Sequence, residues 1–262
     1  MDIAFSSVHS PAILKLLAHD VRWKILSLLA CSDYCVQELV RFLEQPQNLV
    51  SYHLRRLHNH EIVTEHRSTA DGRDIYYSLN LEKLQALYFT SAGALHPALS
   101  NAQISSEEQM SISSQKPKRI LFLCTGNSAR SQMAEGLLRH LSKGQVEAFS
   151  AGSNPRSLHP SAMRVMAAMD IDISQQRAKH FDEFRGQSFD HVITVCDRVK
   201  EICPTFPGNP EPEHIHWSFP DPSLLAGSEE EKYALFEQIA VQLRTRIRYL
   251  LIMLEHETQS AR

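Results

Sequence analysis

The chain has 262 residues, 43% of them hydrophobic and 22% charged, with a formal net charge of −3. Two domains are expected at this length, each able to bury its own core. The near-neutral balance argues against polyanion binding by the whole surface but allows a local basic face. No apolar run approaches the roughly 18–20 residues of a membrane helix, and Met1-Asp2-Ile3 does not open a signal peptide. A soluble, cytoplasmic protein without membrane contact is therefore expected. Five cysteines, Cys31, Cys35, Cys124, Cys196 and Cys203, make a poor disulfide framework without an export signal. Reactive or metal-binding thiols are the better reading.

In the first third, apolar residues recur at helical spacing. Ile13, Leu16 and Leu17 predict one helix, and Trp23, Ile25, Leu26 and Leu29 a second. Val36, Leu39, Val40 and Leu43 predict a third. After the break at Gln45-Pro46, Leu49, Val50, Leu54 and Leu57 form the stripe of a fourth. Two extended stretches, 62–67 and 74–79, flank the hairpin signal Asp71-Gly72, and a helical pattern over 81–95 follows. This is the order of a winged helix-turn-helix, mostly α with a β-hairpin wing. The stretch from His96 to Lys118, HPALSNAQISSEEQMSISSQKPK, reads as a flexible linker, with a helical arm as the alternative. The expected division is 1–95, a linker at 96–117, and 118–262.

Beyond the linker the period changes. RILFLC (119–124) is a short apolar strand entering a loop at Gly126, followed by a helix. A strand at 146–150, a helix around 162–169, the strand HVITVC (191–196) and a long amphipathic helix over 229–254 complete the pattern. Strands alternating with helices imply an α/β fold with a parallel sheet.

Between that first strand and its helix lies Cys124-Thr125-Gly126-Asn127-Ser128-Ala129-Arg130-Ser131, a C-x5-R-S loop. Its backbone amides and the helix N-terminus converge on a tetrahedral oxyanion and favour a thiolate at Cys124. Arg130 can grip two oxygens of the anion at once. Asn127 is placed to tie the loop into shape and Ser131 to donate toward the sulfur.

This loop resembles that of the low-molecular-weight tyrosine phosphatases, C-x-G-N-x-x-R-S. Ser150-Ala151-Gly152 and Asp221-Pro222 extend the resemblance over the domain. It implies a low-molecular-weight phosphatase-like fold and a general-acid role for Asp221. Two features separate a reductase from a phosphatase. Cys196 and Cys203 flank CDRVKEIC, thiols that a phosphatase does not need, and Ser223-Leu224 stands where the phosphatases usually carry an aromatic pair. VCDRVKEICP followed by HWSFPDP is similar to the thioredoxin-coupled arsenate reductases. That resemblance implies arsenate as substrate, a Cys124/Cys196/Cys203 relay and thioredoxin as electron donor, with glutathione or mycothiol as other donors in this fold, and no tightly bound cofactor. A tyrosine phosphatase is the alternative. Cysteines seven apart on a rigid helix cannot bond, since a disulfide needs Cα atoms within about 7 Å, so the segment between them must unwind. Some relatives bind potassium with Asn, Glu, Ser and Asp; Asn127, Glu135 and Ser150 match, but Lys179 takes the aspartate position, so no potassium site is expected.

The segment QELVRFLEQPQNLVSYHLRRLHNHEIV resembles the ArsR/SmtB repressors. In that family the second helix of the motif enters the DNA major groove and the hairpin touches phosphates. The resemblance implies a double-stranded DNA operator, with Gln47, Asn48, Ser51, Tyr52, His53 and Arg56 facing it and Arg67 and Arg73 on the wing. It also implies a homodimer built on the first helix and the 81–95 helix. Cys31 and Cys35, four residues apart, would share a helical face and are candidate arsenite ligands, with arsenite as inducer. His58 and His60 read as surface residues.

Overall fold

The computed structural model describes residues 11–68, 70, 72–93, 117–208, 210–224 and 227–260. The chain forms two compact units. The expected linker, apart from residue 117, and Asp71 at the hairpin turn lie outside the described residues.

In the N-terminal unit α1 (Ala12–Leu17), α2 (Asp20–Leu29), α3 (Val36–Leu43) and α4 (Gln47–Asn59) precede a hairpin of β2 (Val63–Arg67) and β3 (Ile75–Leu79) and then α5 (Leu81–Gly93). The two-residue strand β1 (Tyr34–Cys35), which the sequence pattern did not predict, pairs antiparallel with β3. Glu44 ends α3 in the left-handed region at φ 52°, and Pro46 caps α4, so the chain turns sharply between the two helices. The core gathers Ile13, Leu16, Ile25, Leu26, Leu29, Leu39, Val50, Leu54, Leu57 and Ile62. Trp23, expected on the apolar stripe of α2, is 60% exposed. The buried face of that helix carries Arg22 instead, whose Nη2 donates to the Lys15 carbonyl at 3.1 Å and satisfies the last turn of α1.

The C-terminal unit is built on four parallel strands in the order β5-β4-β6-β7: β4 (Arg119–Cys124), β5 (Glu147–Gly152), β6 (His191–Thr194) and β7 (Glu213–His216). β4 is central, and all but the first of its residues are buried, as a strand covered on both faces requires. α6 (Arg130–Leu141), α7 (Pro160–Ala167), α8 (Asp197–Glu201) and α9 (Glu229–Ser260) complete the unit, α9 packing on α6 and α7. The chain goes from β4 to β5 on one side and to β6 on the other. The loop after β4 therefore opens at the switch point, where an α/β sheet leaves a crevice. β6 ends at Thr194, two residues before the expected limit, and β7 was not anticipated.

Candidate functional site

The loop 125–129 carries Cys124 from the end of β4 to the first residue of α6, Arg130. Its carbonyls are pinned from outside. Asn154 N donates to Thr125 O at 2.9 Å, Arg156 N to Gly126 O at 2.8 Å and His159 N to Ser128 O at 2.8 Å. This pairing holds the carbonyls away from the cradle in which an anion meets successive amides. Gly152 makes the approach possible: a Cβ there would stand 2.6 Å from Thr125 O and 2.9 Å from Asn127 N. Gly152→Ala is expected to cost about 1–3 kcal/mol of stability, the range for overpacking, measured by denaturant unfolding, and to weaken phosphate binding with it.

Asn127 sits in the left-handed region at φ 41° and organises the loop. Its Oδ1 accepts from Lys179 N at 2.8 Å, which fixes the amide orientation. Its Nδ2 donates to Ser131 Oγ at 2.9 Å and Ser150 Oγ at 2.8 Å. Both amide hydrogens are then used, so the Ser131 hydroxyl proton is left for Cys124 Sγ, 2.9 Å away. Asn127 N also donates to that sulfur at 3.1 Å. Ser150 in turn donates to the buried carboxylate of Glu135, which pairs with Arg139 and with Lys179, whose Nζ is 3.3 Å from Glu135 Oε2. Lys179, which takes the aspartate position of the potassium-binding relatives, thus stands at the far end of a bonded chain leading to Cys124.

Arg130 is buried and oriented from the opposite side. Nη1 donates to Phe219 O at 3.0 Å and Nη2 meets Asp221 Oδ2 at 2.7 Å. Burial works to raise the Asp221 pKa, but Arg130 and the hydrogen bonds from Ser223 outweigh it and hold the carboxyl below its ordinary value. A cavity of about 100 Å³ opens over Cys124, with Arg130, Cys196 and Asp221 in its wall. Cys196 is the N-cap of α8, its Sγ 3.4 Å from Thr125 Oγ1. Burial pushes its thiol pKa up, Arg130 pulls it down, and Cys124 adds to the rise. Cys203 lies just past α8, and burial raises its pKa to about 11.

Arg156, His159 and Arg198 also line this cavity, and the sequence reading missed all three. His159 caps α7 and stacks on Phe236 at 4.6 Å, and burial lowers its pKa. The signal that would find Arg156 and His159 is the backbone pairing of their segment with the oxyanion loop.

On the N-terminal unit, Gln47, Asn48, Tyr52 and Arg56 are exposed along α4, and Ser51 is partly so. Arg56 Nη1 donates to the Tyr52 hydroxyl at 3.1 Å. Arg67 and Arg73 are exposed on the hairpin. His53 corrects the expectation. It is 2% exposed, its ring 4.3 Å from that of His19, and it cannot reach a groove. Arg55, one turn beyond Tyr52, is exposed and was not anticipated. The shared helical face assumed for Cys31 and Cys35 is also corrected. Cys31 lies in the turn after α2, whereas Cys35 ends β1 and caps α3, its N–H donating to Glu38 Oε2 at 3.0 Å. Burial and the neighbouring Glu38 raise the Cys35 pKa.

A buried cysteine at the end of a central parallel strand, an arginine six residues on and an opposing aspartate define a cysteine-based oxyanion site at an α/β switch point. The chain belongs to the low molecular weight phosphotyrosine protein phosphatase family, which it matches over residues 119–260, and residues 19–65 match the arsR family of bacterial regulatory proteins. It thus joins an arsR-type helix-turn-helix to a phosphatase-family domain. Over 131 residues it is 39% identical to an arsenate reductase of Halalkalibacterium halodurans, spanning 50% of this chain and 93% of that one. It is 38% identical, over the same shares, to an arsenate reductase of Bacillus subtilis. A solved arsenate reductase in a phosphate-binding state gives a TM-score of 0.43 at 28% identity, covering 52% of this chain and 98% of that one. Among the described residues no helix is long and apolar enough to cross a membrane.

Proposed function

We propose that the C-terminal unit reduces arsenate to arsenite through Cys124, Cys196 and Cys203. The observation that carries this reading is Cys196, a second thiol in the wall of the cavity over Cys124, which ester hydrolysis does not require. The exposed Leu224 where an aromatic clasp would stand, and the arsenate reductase relatives, support it further.

Arsenate enters with its oxygens on the loop amides and on the fork of Arg130. Doing so withdraws Arg130 from Asp221 and brings negative charge beside the carboxyl, and both changes raise its affinity for a proton. Asp221 then delivers a proton to the departing oxygen as Cys124 Sγ bonds to arsenic and water leaves. Cys196 next attacks Cys124 Sγ. The sulfur–arsenic bond breaks with its electron pair on arsenic, so arsenite departs and a Cys124–Cys196 disulfide remains. Cys203 attacks Cys196, frees Cys124 and leaves Cys196–Cys203 for thioredoxin. One arsenate and two thiols become one arsenite, one disulfide and one water. Lys179 supplies the fixed charge at Glu135, in place of a potassium ion. The test is NADPH consumption by the purified protein with thioredoxin and thioredoxin reductase. It should start on adding arsenate; consumption indifferent to arsenate would reject the reading.

The N-terminal unit binds an operator in duplex DNA as a homodimer through α1 and α5, which touch each other and carry the exposed Leu14 and Tyr88. Arsenite, the product, releases it, with Cys31 and Cys35 as the thiols that sense it. Arg56→Ala is expected to weaken operator binding about tenfold, as loss of a groove or phosphate contact does, in a gel-shift titration at fixed salt. His53→Gln, being buried, should act on thermal stability instead.

A further inference from the structure

A buried polar group next to the resolving thiol has no part in the chemistry above. Asp197, the first residue of α8, is 1% exposed. Its Oδ1 accepts from Ser218 Oγ at 2.7 Å and from His216 Nε2 at 3.2 Å. His216 Nδ1 lies 2.8 Å from Thr194 Oγ1. His216, Ser218 and Thr194 are each 5% exposed or less. A carboxylate is rarely taken so far from water unless it is fully bonded, and here the bonds tie the start of α8 to β6 and to the end of β7.

The position matters because the relay makes opposite demands on the two ends of this segment. Cys196 must stay in the cavity wall to meet Cys124. Cys203 must then travel to Cys196: the two stand at opposite ends of α8, Cys196 as its N-cap and Cys203 two residues past its last residue, and a disulfide needs Cα atoms within about 7 Å. Unwinding that began at Thr194 would carry Cys196 out of the cavity together with Cys203. An anchor at Asp197 lets the chain loosen beyond it while Cys196 keeps its place.

We propose that Asp197, held by His216 and Ser218, is a positioning residue for the thiol relay: it fixes Cys196 beside Cys124 and sets the point after which α8 unwinds to deliver Cys203. The inference rests on the relay reading of the site.

The test drives the disulfide without arsenate. In a Cys203→Ser background, reduced protein is treated with stoichiometric diamide, whose azo group takes the two electrons and two protons that the thiols lose. The Cys124–Cys196 bond is timed by mass spectrometry of alkylated peptides. Protection of Cys124 from iodoacetamide by inorganic phosphate reports the oxyanion loop separately. Asp197→Ala should slow the disulfide at least tenfold and leave phosphate protection within twofold. Asp197→Asn keeps an oxygen for both donors and should recover most of the rate. His216→Gln and Ser218→Ala, each removing one donor, should slow disulfide formation by a smaller factor, and they carry the test if Asp197→Ala does not fold. Unchanged disulfide rates in these variants would overturn the proposal. So would equal losses of disulfide rate and phosphate protection, because Asp197 would then hold the whole site. Protein that keeps this pattern but reduces no arsenate would fail the reductase reading and leave the anchor standing.

Discussion

Reduced Cys203→Ser protein should release one arsenite per chain from arsenate and then stop, holding a Cys124–Cys196 disulfide. In the proposed relay the first two displacements need only Cys124 and the thiol already in its cavity wall. The third needs Cys203, which is poorly prepared in the reduced fold. At a pKa of about 11, roughly one molecule in ten thousand carries its thiolate at pH 7. A thiol so protonated is a weak nucleophile. In the proposed relay, unwinding of α8 would bring it into water, where its pKa would fall toward the ordinary value as it reached Cys196. On that reading, the burial that raises the pKa would keep Cys203 from bonding with Cys196 before arsenate has reacted. With thioredoxin present, multiple turnover in Cys203→Ser should fall by about a hundredfold or more, while a rapid-quench burst of arsenite keeps an amplitude near one per chain. Steady turnover at the wild-type rate would remove Cys203 from the mechanism.

Asp221→Asn should bind oxyanions more tightly and react more slowly. In the resting site the Arg130 fork is engaged, with Nη2 on Asp221 Oδ2 at 2.7 Å. A dianion must take that guanidinium from a carboxylate and accept the carboxylate as neighbour. Asparagine keeps the shape but removes the charge, so phosphate protection of Cys124 from alkylation should strengthen about two- to fivefold, the scale of one partly exposed ion pair. Turnover should fall about 10²–10⁴-fold, the usual worth of a general acid. Separating the readouts matters, since a residue that only shaped the pocket would weaken both.

Much of this was legible in the sequence because the informative residues are contiguous. RILFLC running into CTGNSARS places nucleophile, loop and arginine together, and CDRVKEIC places both further thiols within eight residues. β7 was not legible: EHIH holds one apolar residue, and half of it is exposed at the sheet edge. β1 is two residues long and exists only through its pairing with β3. Arg156 and His159 reach the cavity because their backbone pairs with a loop some 30 residues earlier, which no local pattern records. His53 was misread by residue type. Its spacing from Val50, Leu54 and Leu57, all fully buried, already placed it on the inner face of α4, so the period was the better guide than polarity. Trp23 fails the other way, an apolar side chain one position off the stripe of Ile25, Leu26 and Leu29. Asp197 and His216 are ordinary polar letters until the fold brings them together.

The most direct measurement is a thiol count across one turnover without any reductant. Fully reduced protein is mixed with equimolar arsenate, arsenite is quantified, and free thiols and disulfides are mapped after quenching. The relay predicts one arsenite formed, two thiols lost per arsenate consumed, and Cys196–Cys203 as the bond that accumulates. Arsenate left unreduced with every thiol still free, beside efficient hydrolysis of an aryl phosphate ester, would contradict it and make this domain a phosphatase.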